Sequence, residues 1–162
     1  MNAIELLEDQ HAEVKKLFKK YEGLKDGADA ERQEIFEKIA DRLSAHATIE
    51  ELYFYPSVKA ARTEDKLYEA VEEHLAAKRI IADLLQMSPD SEYFDAKMKV
   101  LQESIDHHVE EEEEDLFPKV RKLLNEEQLL VLGIQMKEEF DELMEAEPRY
   151  ETPLQTDAAA PL

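Results

Sequence analysis

A chain of 162 residues with a formal net charge of −20, carrying 40 Asp and Glu against 20 Lys and Arg, has room for one folded domain. That charge repels both the phosphates of nucleic acid and an anionic membrane face, so neither is expected as a partner. No Cys is present, which excludes disulfide frameworks, thiolate metal sites and cysteine nucleophiles and leaves any metal to His and carboxylate ligands.

With only three Gly and an abundance of Ala, Leu, Glu and Lys, the composition predicts an all-α class. The first helix starts at Asn2, with Glu5 three residues on as a capping pair. It carries Ile4, Leu7, His11, Val14, Phe18 and Tyr21 on one stripe and ends near Gly23. A second helix from about Asp29 places Ile35, Ile39, Arg42 or Leu43, His46, Glu50 and Tyr53 on its inner face until Pro56 interrupts it, with room for its last turns to resume after the proline. A third, after Thr63, runs through Leu67, Val71, His74, Lys78, Ile81 and Leu85 to Ser88 and Pro89. The fourth takes Phe94, Met98, Leu101, Ile105, His108 and Glu112 inward, and Pro118 is expected to break it. An appended helix opens at the Asn125 and Gln128 cap signal and carries Leu129, Leu132, Met136, Phe140 and Leu143.

Together these make an up-down-up-down four-helix bundle with a short extra C-terminal helix over residues 1–146. Residues 147–162, rich in proline and without periodicity, are expected to form an irregular tail. The start of the chain lacks a basic and apolar leader, and no run of about 18 apolar residues occurs, so a cytoplasmic location is expected.

The two halves repeat. His46 to Pro56 and His108 to Pro118 both read H-x3-E-E and place proline ten residues after the histidine. His11 precedes His46 by 35 residues, and His74 precedes His108 by 34. A duplicated helical hairpin signals only architecture by itself. Here, however, the repeated residues His11, His46, Glu50, His74, His108 and Glu112 occupy the stripe otherwise filled by apolar side chains.

Burying one polar group without a partner costs roughly 1 to 3 kcal/mol, and an unpaired carboxylate costs more. One histidine on an apolar face is ordinarily a hydrogen-bonded core residue. Four imidazoles and two carboxylates in matching copies call for a common centre. Residues i and i+4 lie about 5 to 6 Å apart at Cβ, so each H-x3-E pair presents both groups to one point.

This pattern resembles the hemerythrin family, in particular its HHE cation-binding domains, over roughly residues 1 to 120. The resemblance implies a non-haem di-iron site in which His11 and His46 bind one iron and His74 and His108 the other. Glu50 and Glu112 bridge the pair, and an oxo or hydroxo bridge completes it. The family's oxygen carriers have a second histidine four residues along the third helix, and here that position is Lys78. The two irons would then have matching, open coordination, which suits dioxygen or hydrogen peroxide and catalase- or peroxidase-like chemistry. Glu51, Glu73 or Tyr53 would weaken that expectation by filling an open position. An iron or oxygen sensor and a metal-free helical interaction domain are the competing functions. A ferritin-like site needs two E-x2-H motifs, and only Glu8 with His11 fits. His107 lies about 100° off the inner stripe and is read as a surface residue or an outer partner of the ligands.

Overall fold

A computed structural model describes residues 1–162, and it is all-helical. Helix α1 spans Ala3–Glu22 and α2 Asp29–Ile49. A π-helical turn over Glu50–Phe54 leads from α2 into the short α3, Tyr55–Val58. Helix α4 covers Glu64–Leu85 and α5 Glu92–Glu111. A second π turn, Glu112–Leu116, leads into α6, Phe117–Leu123. Helix α7 follows over Glu126–Glu145.

The local chemistry explains these boundaries. The Asn2 side chain accepts from the Glu5 N–H at 2.9 Å while Glu5 accepts from the Asn2 N–H at 3.0 Å. Asn125 and Gln128 repeat the arrangement at 2.9 Å both ways. Each reciprocal pair satisfies two backbone donors that a helix start leaves orphaned.

Pro118 does not break its helix as expected, and at Pro56 the interrupted helix resumes. Each sits at the start of a continuing helix, immediately after a π turn. In these turns Tyr55 N–H donates to Glu50 O, and Phe117 N–H to Glu112 O, one residue further back than in an α-helix. The loosened turn accommodates a residue that has no N–H to give, and the helix resumes with proline's fixed φ at its first turn.

Two apolar clusters fill the bundle. One holds Ile4, Leu7, Ile49, Phe54, Leu67 and Phe117, and α7 closes it with Leu129, Met136 and Phe140. The other holds Phe18, Phe36, Ile39, Ile81, Phe94 and Met98. His11, His46, His74 and His108 lie in sequence between the residues of the two clusters. The bundle is therefore two hydrophobic plugs separated by one polar layer.

The tail expected to be irregular is so over residues 156–162, but its first part is helical. Pro148–Gln155 forms a 3-10 segment against α2 and α4. Arg149 is buried, with Nη1 2.8 Å from Asp41 and Nη2 3.2 Å from Glu37. Thr152 Oγ1 lies 2.5 Å from Ser44 Oγ. These polar anchors, rather than apolar area, hold the segment, which is why hydrophobic periodicity gave no sign of it.

No helix is long and apolar enough to cross a membrane.

Candidate metal centre

All six residues singled out by the repeat converge in the polar layer, and all are buried. The ligand atoms of His11, His46, Glu50 and Glu112 lie within 4.8 Å of one another, and so do those of Glu50, His74 and His108. Glu50 Oε1 is 3.1 Å from His46 Nε2 and 3.1 Å from His74 Nε2. Glu112 Oε1 is 3.3 Å from His11 Nε2 and 3.2 Å from His108 Nε2. Each carboxylate thus stands between one histidine from each half of the repeat. His74 Nε2 and His108 Nε2 approach to 3.2 Å.

The other ring nitrogen of every histidine is held from outside. His11 Nδ1 donates to Glu113 at 2.7 Å, His46 Nδ1 to Gln10 Oε1 at 2.6 Å, His74 Nδ1 to Glu51 at 2.8 Å and His108 Nδ1 to Glu73 at 2.9 Å. Carboxylate and amide oxygens only accept, so each Nδ1 carries the hydrogen and each Nε2 lone pair is aimed inward. Outer acceptors of this kind fix the tautomer and orientation of metal-binding imidazoles.

The inward atoms face only one another, across contacts of 3.1 to 3.3 Å. His11 Nε2, His46 Nε2, both oxygens of Glu50 and Glu112 Oε1 are buried without a hydrogen bond. A carboxylate with 0% exposure and two unbonded oxygens is too costly for a purely structural core. Imidazole nitrogens and carboxylate oxygens around one centre fit a first-row divalent or trivalent metal.

The metal-free electrostatics agree. Burial disfavours charge on both carboxyls, yet the facing histidines hold Glu50 well below the usual carboxylate range; Glu112, pushed up further by the Glu50 charge, is still held low by His108 and His11. Burial likewise disfavours charged imidazole, but Glu112 and Glu113 raise His11 to about 9. His74 is raised by Glu50 and Glu51, and His108 by Glu112, Glu50 and Glu73. Without a metal, protons occupy the place of the missing positive charge.

Several residues take roles other than those expected. Lys78 is buried but turns to Glu51, with Nζ 2.9 Å from both carboxylate oxygens, and offers no lone pair to the centre. Glu51 and Glu73 orient His74 and His108 from outside rather than entering the centre. Tyr53 is not on the inner face, and its hydroxyl donates to Glu139 at 3.1 Å. His107 is 60% exposed and reaches only Glu73, at 3.4 Å, as its offset from the stripe predicts.

Sequence reasoning missed Tyr55. Its hydroxyl donates to Glu112 Oε2 at 2.8 Å and lies 3.3 Å from His74 Nε2, and the residue has no exposed surface. Burial, reinforced by the Glu112 and Glu50 charges, raises the phenol well above its ordinary range, so it stays a donor. A cavity of about 40 Å³ adjoins the four histidines, walled by Val14, Leu43, Ala77, Ile81, Ile105 and Lys78.

A family model, that of the hemerythrin HHE cation binding domain, matches residues 2–120. A DNA nickase of Nostoc sp. is 31% identical over 129 residues, which is 79% of this chain and 36% of that protein. The chain therefore spans about a third of the length of that curated relative. The crystal structure of a hemerythrin HHE cation binding domain-containing protein from Mycobacterium kansasii superposes with a TM-score of 0.79 at 22% identity, covering 99% of this chain and 97% of that one. At that identity the likeness speaks for the fold. The chain belongs to the hemerythrin HHE cation-binding domain family.

Proposed function

We propose that this member of the hemerythrin HHE cation-binding family holds two iron ions, and that it binds dioxygen or hydrogen peroxide beside them. His11 and His46 would hold one ion, His74 and His108 the other, with Glu50 and Glu112 shared and an oxo or hydroxo bridge between. The observation that carries this reading is the set of buried, inward-facing atoms that make no hydrogen bond: His11 Nε2, His46 Nε2, both Glu50 oxygens and Glu112 Oε1. When bound, the iron pair supplies the electrons for dioxygen or peroxide redox chemistry.

The chain's own residues favour a small oxidant. The cavity beside the histidines, about 40 Å³ with Val14, Leu43 and Ile81 in its wall, has room for a molecule of two or three heavy atoms. Tyr55 does not line this cavity and would act through Glu112, to which its hydroxyl donates at 2.8 Å. Lys78 in place of a further imidazole leaves both sides with two histidines each, as turnover of peroxide would use, rather than the unequal pair of a carrier.

The work of the whole Nostoc relative is not carried over to this chain. A net charge of −20 opposes binding to a phosphate backbone.

Elemental analysis of the purified protein should find about two irons per chain. Aerobic samples should show oxo-bridged ferric absorption that responds to peroxide. His74→Ala and His108→Ala should each lower the iron content; full iron in both would refute the ligand assignment. Many peroxide turnovers per centre would mark an enzyme, and a single stoichiometric response a sensor.

A further inference from the structure

We propose that the acidic groove between α1 and α5 is the loading route by which a divalent cation reaches the buried histidine and carboxylate cluster, with Glu113 at its inner end. This rests on reading that cluster as a metal centre.

A four-helix bundle has four seams through which a cation could reach its middle. Two are the hairpin seams, where α1 packs closely on α2 and α4 on α5. The third, between α2 and α4, is covered by Pro148–Gln155, which contacts both helices. Ser44, the residue that Thr152 engages there, also walls the inner cavity, so the tail lies directly over that side. The fourth seam, between α1 and α5, has almost no close backbone approach and holds an open groove of about 630 Å³.

This groove and the inner cavity share His11, Val14, Ile105 and Val109, so one layer of side chains separates solvent from the centre. Outside that layer the groove is lined by Glu8, Asp106, Glu110, Glu113 and Glu114, against the single cation Lys15. Glu8 is engaged by Arg121 at 3.4 Å, whereas Asp106, Glu110 and Glu114 make no ion pair. A concave surface with uncompensated charge of one sign focuses its field and concentrates counter-ions.

The acidic lining alone would be an ordinary solvated surface. What distinguishes it is the floor. His11 lines the groove, is 8% exposed, and its Nε2 makes no hydrogen bond and faces Glu112 Oε1 at 3.3 Å on the inner side. Glu113 spans the two environments: its side chain is 38% exposed, and its Oε2 accepts from His11 Nδ1 at 2.7 Å. A cation drawn into the groove passes Asp106, Glu110 and Glu114 and reaches the Glu113 carboxylate last, and a rotation of the His11 ring out of that hydrogen bond opens the way to the inward atoms.

The test uses the metal-free full-length chain and Co²⁺, whose absorption reports its ligands, with the uptake rate read by stopped flow. The triple variant Asp106→Asn, Glu110→Gln, Glu114→Gln should load about tenfold more slowly at low ionic strength, with unchanged final stoichiometry. The difference should vanish near 1 M salt, where screening acts within about 3 Å. Ala12→Trp, which narrows the groove, should slow uptake at every salt concentration. A charge-matched control on α7, Glu138→Gln, Glu142→Gln, Glu145→Gln, should load at the parental rate. Parental loading by the groove variants, or equal slowing of the α7 control, overturns the route while leaving the centre intact. Failure of the parent protein to bind Co²⁺ at equilibrium removes the centre, and the route with it.

Discussion

Metal binding at this centre should be strongly pH-dependent, and the direction follows from its histidines. In the metal-free protein burial works against the charged form of His11, but Glu112 and Glu113 lift it from 6.5 to about 9, and His74 and His108 are raised as well. A raised folded-state value means the protonated imidazole stabilises the apo fold fully below about pH 6.5, and that stability is lost as pH rises through about 9. For His11 the shift corresponds to about 3 kcal/mol at 1.36 kcal/mol per unit. The same proton competes with the metal for Nε2, because a ligand imidazole must be neutral. Between pH 9, where His11 is already half protonated, and pH 6.5, His11 alone should therefore weaken apparent metal affinity roughly 150-fold. Glu50 and Glu112, held low, remain charged throughout this window and add no slope to it. Two measurements check this: chelator competition across the pH range, and thermal melts with and without metal. The apo melting temperature should fall from pH 6.5 to 9 while the increment conferred by metal grows, with protons released on loading. A flat affinity profile with no proton release would refute the claim that protons stand in for the metal.

Gln10→Leu removes the acceptor that fixes His46 Nδ1 at 2.6 Å without touching the inward atoms, and should lower metal affinity about 10- to 100-fold with little change of fold. Isothermal titration checks it. Tyr55→Phe leaves Glu112 Oε2 without its 2.8 Å donor and should destabilise the metal-free protein by about 1 to 3 kcal/mol in chemical denaturation, with a smaller loss once metal is bound. At Gly133 an added Cβ would stand 2.6 Å from Met1 O, 2.7 Å from Asn2 C and 2.8 Å from Ala3 N, all backbone. Gly133→Ala should accordingly cost about 1 to 3 kcal/mol by prising α7 from the start of α1, seen as a lower melting temperature with unchanged metal stoichiometry.

The six converging positions were legible because three independent signals coincide on them. His11, His46, His74 and His108 each lie on an apolar stripe, each half has one H-x3-E pair, and the halves repeat in order. The helix starts were legible where the cap is a side-chain reciprocal pair, at Asn2 and at Asn125. The outer partners of the histidines were not legible. Gln10, Glu51, Glu73 and Glu113 come from a surface rich in acids, and nothing in the spacing tells a carboxylate that holds an imidazole from one that faces water. The docked tail was illegible for a related reason: its anchors are Arg149 on Asp41 and Glu37, and Thr152 on Ser44, long-range polar contacts without any periodic trace.

Tyr55 was missed for a reason that says how the site is built. Extrapolating the stripe of His46 and Glu50 along an unbroken α-helix places Tyr53 next on the inner face. The π turn over Glu50–Phe54 takes up one extra residue, so the register beyond it rotates by about 100°. Tyr53 is carried outward to Glu139, while Phe54 and Tyr55 are carried fully inside. The second repeat behaves alike: across Glu112–Leu116 the residue carried outward is Asp115, paired with Lys66 at 3.0 Å, and Leu116 and Phe117 turn into the core. In both halves the turn begins at the glutamate that faces the centre and ends just before a proline. The carboxylate is thus presented from a helix loosened at that point, and the residue next to each proline is aimed at the polar layer from below. In the first half that residue is a tyrosine whose hydroxyl reaches Glu112, and in the second it is Phe117, stacked 6.0 Å from the His11 ring. The duplicated hairpins supply matching histidines and glutamates, but the side chains delivered by their π turns differ: a hydroxyl donor to Glu112 in one half and an apolar ring against His11 in the other.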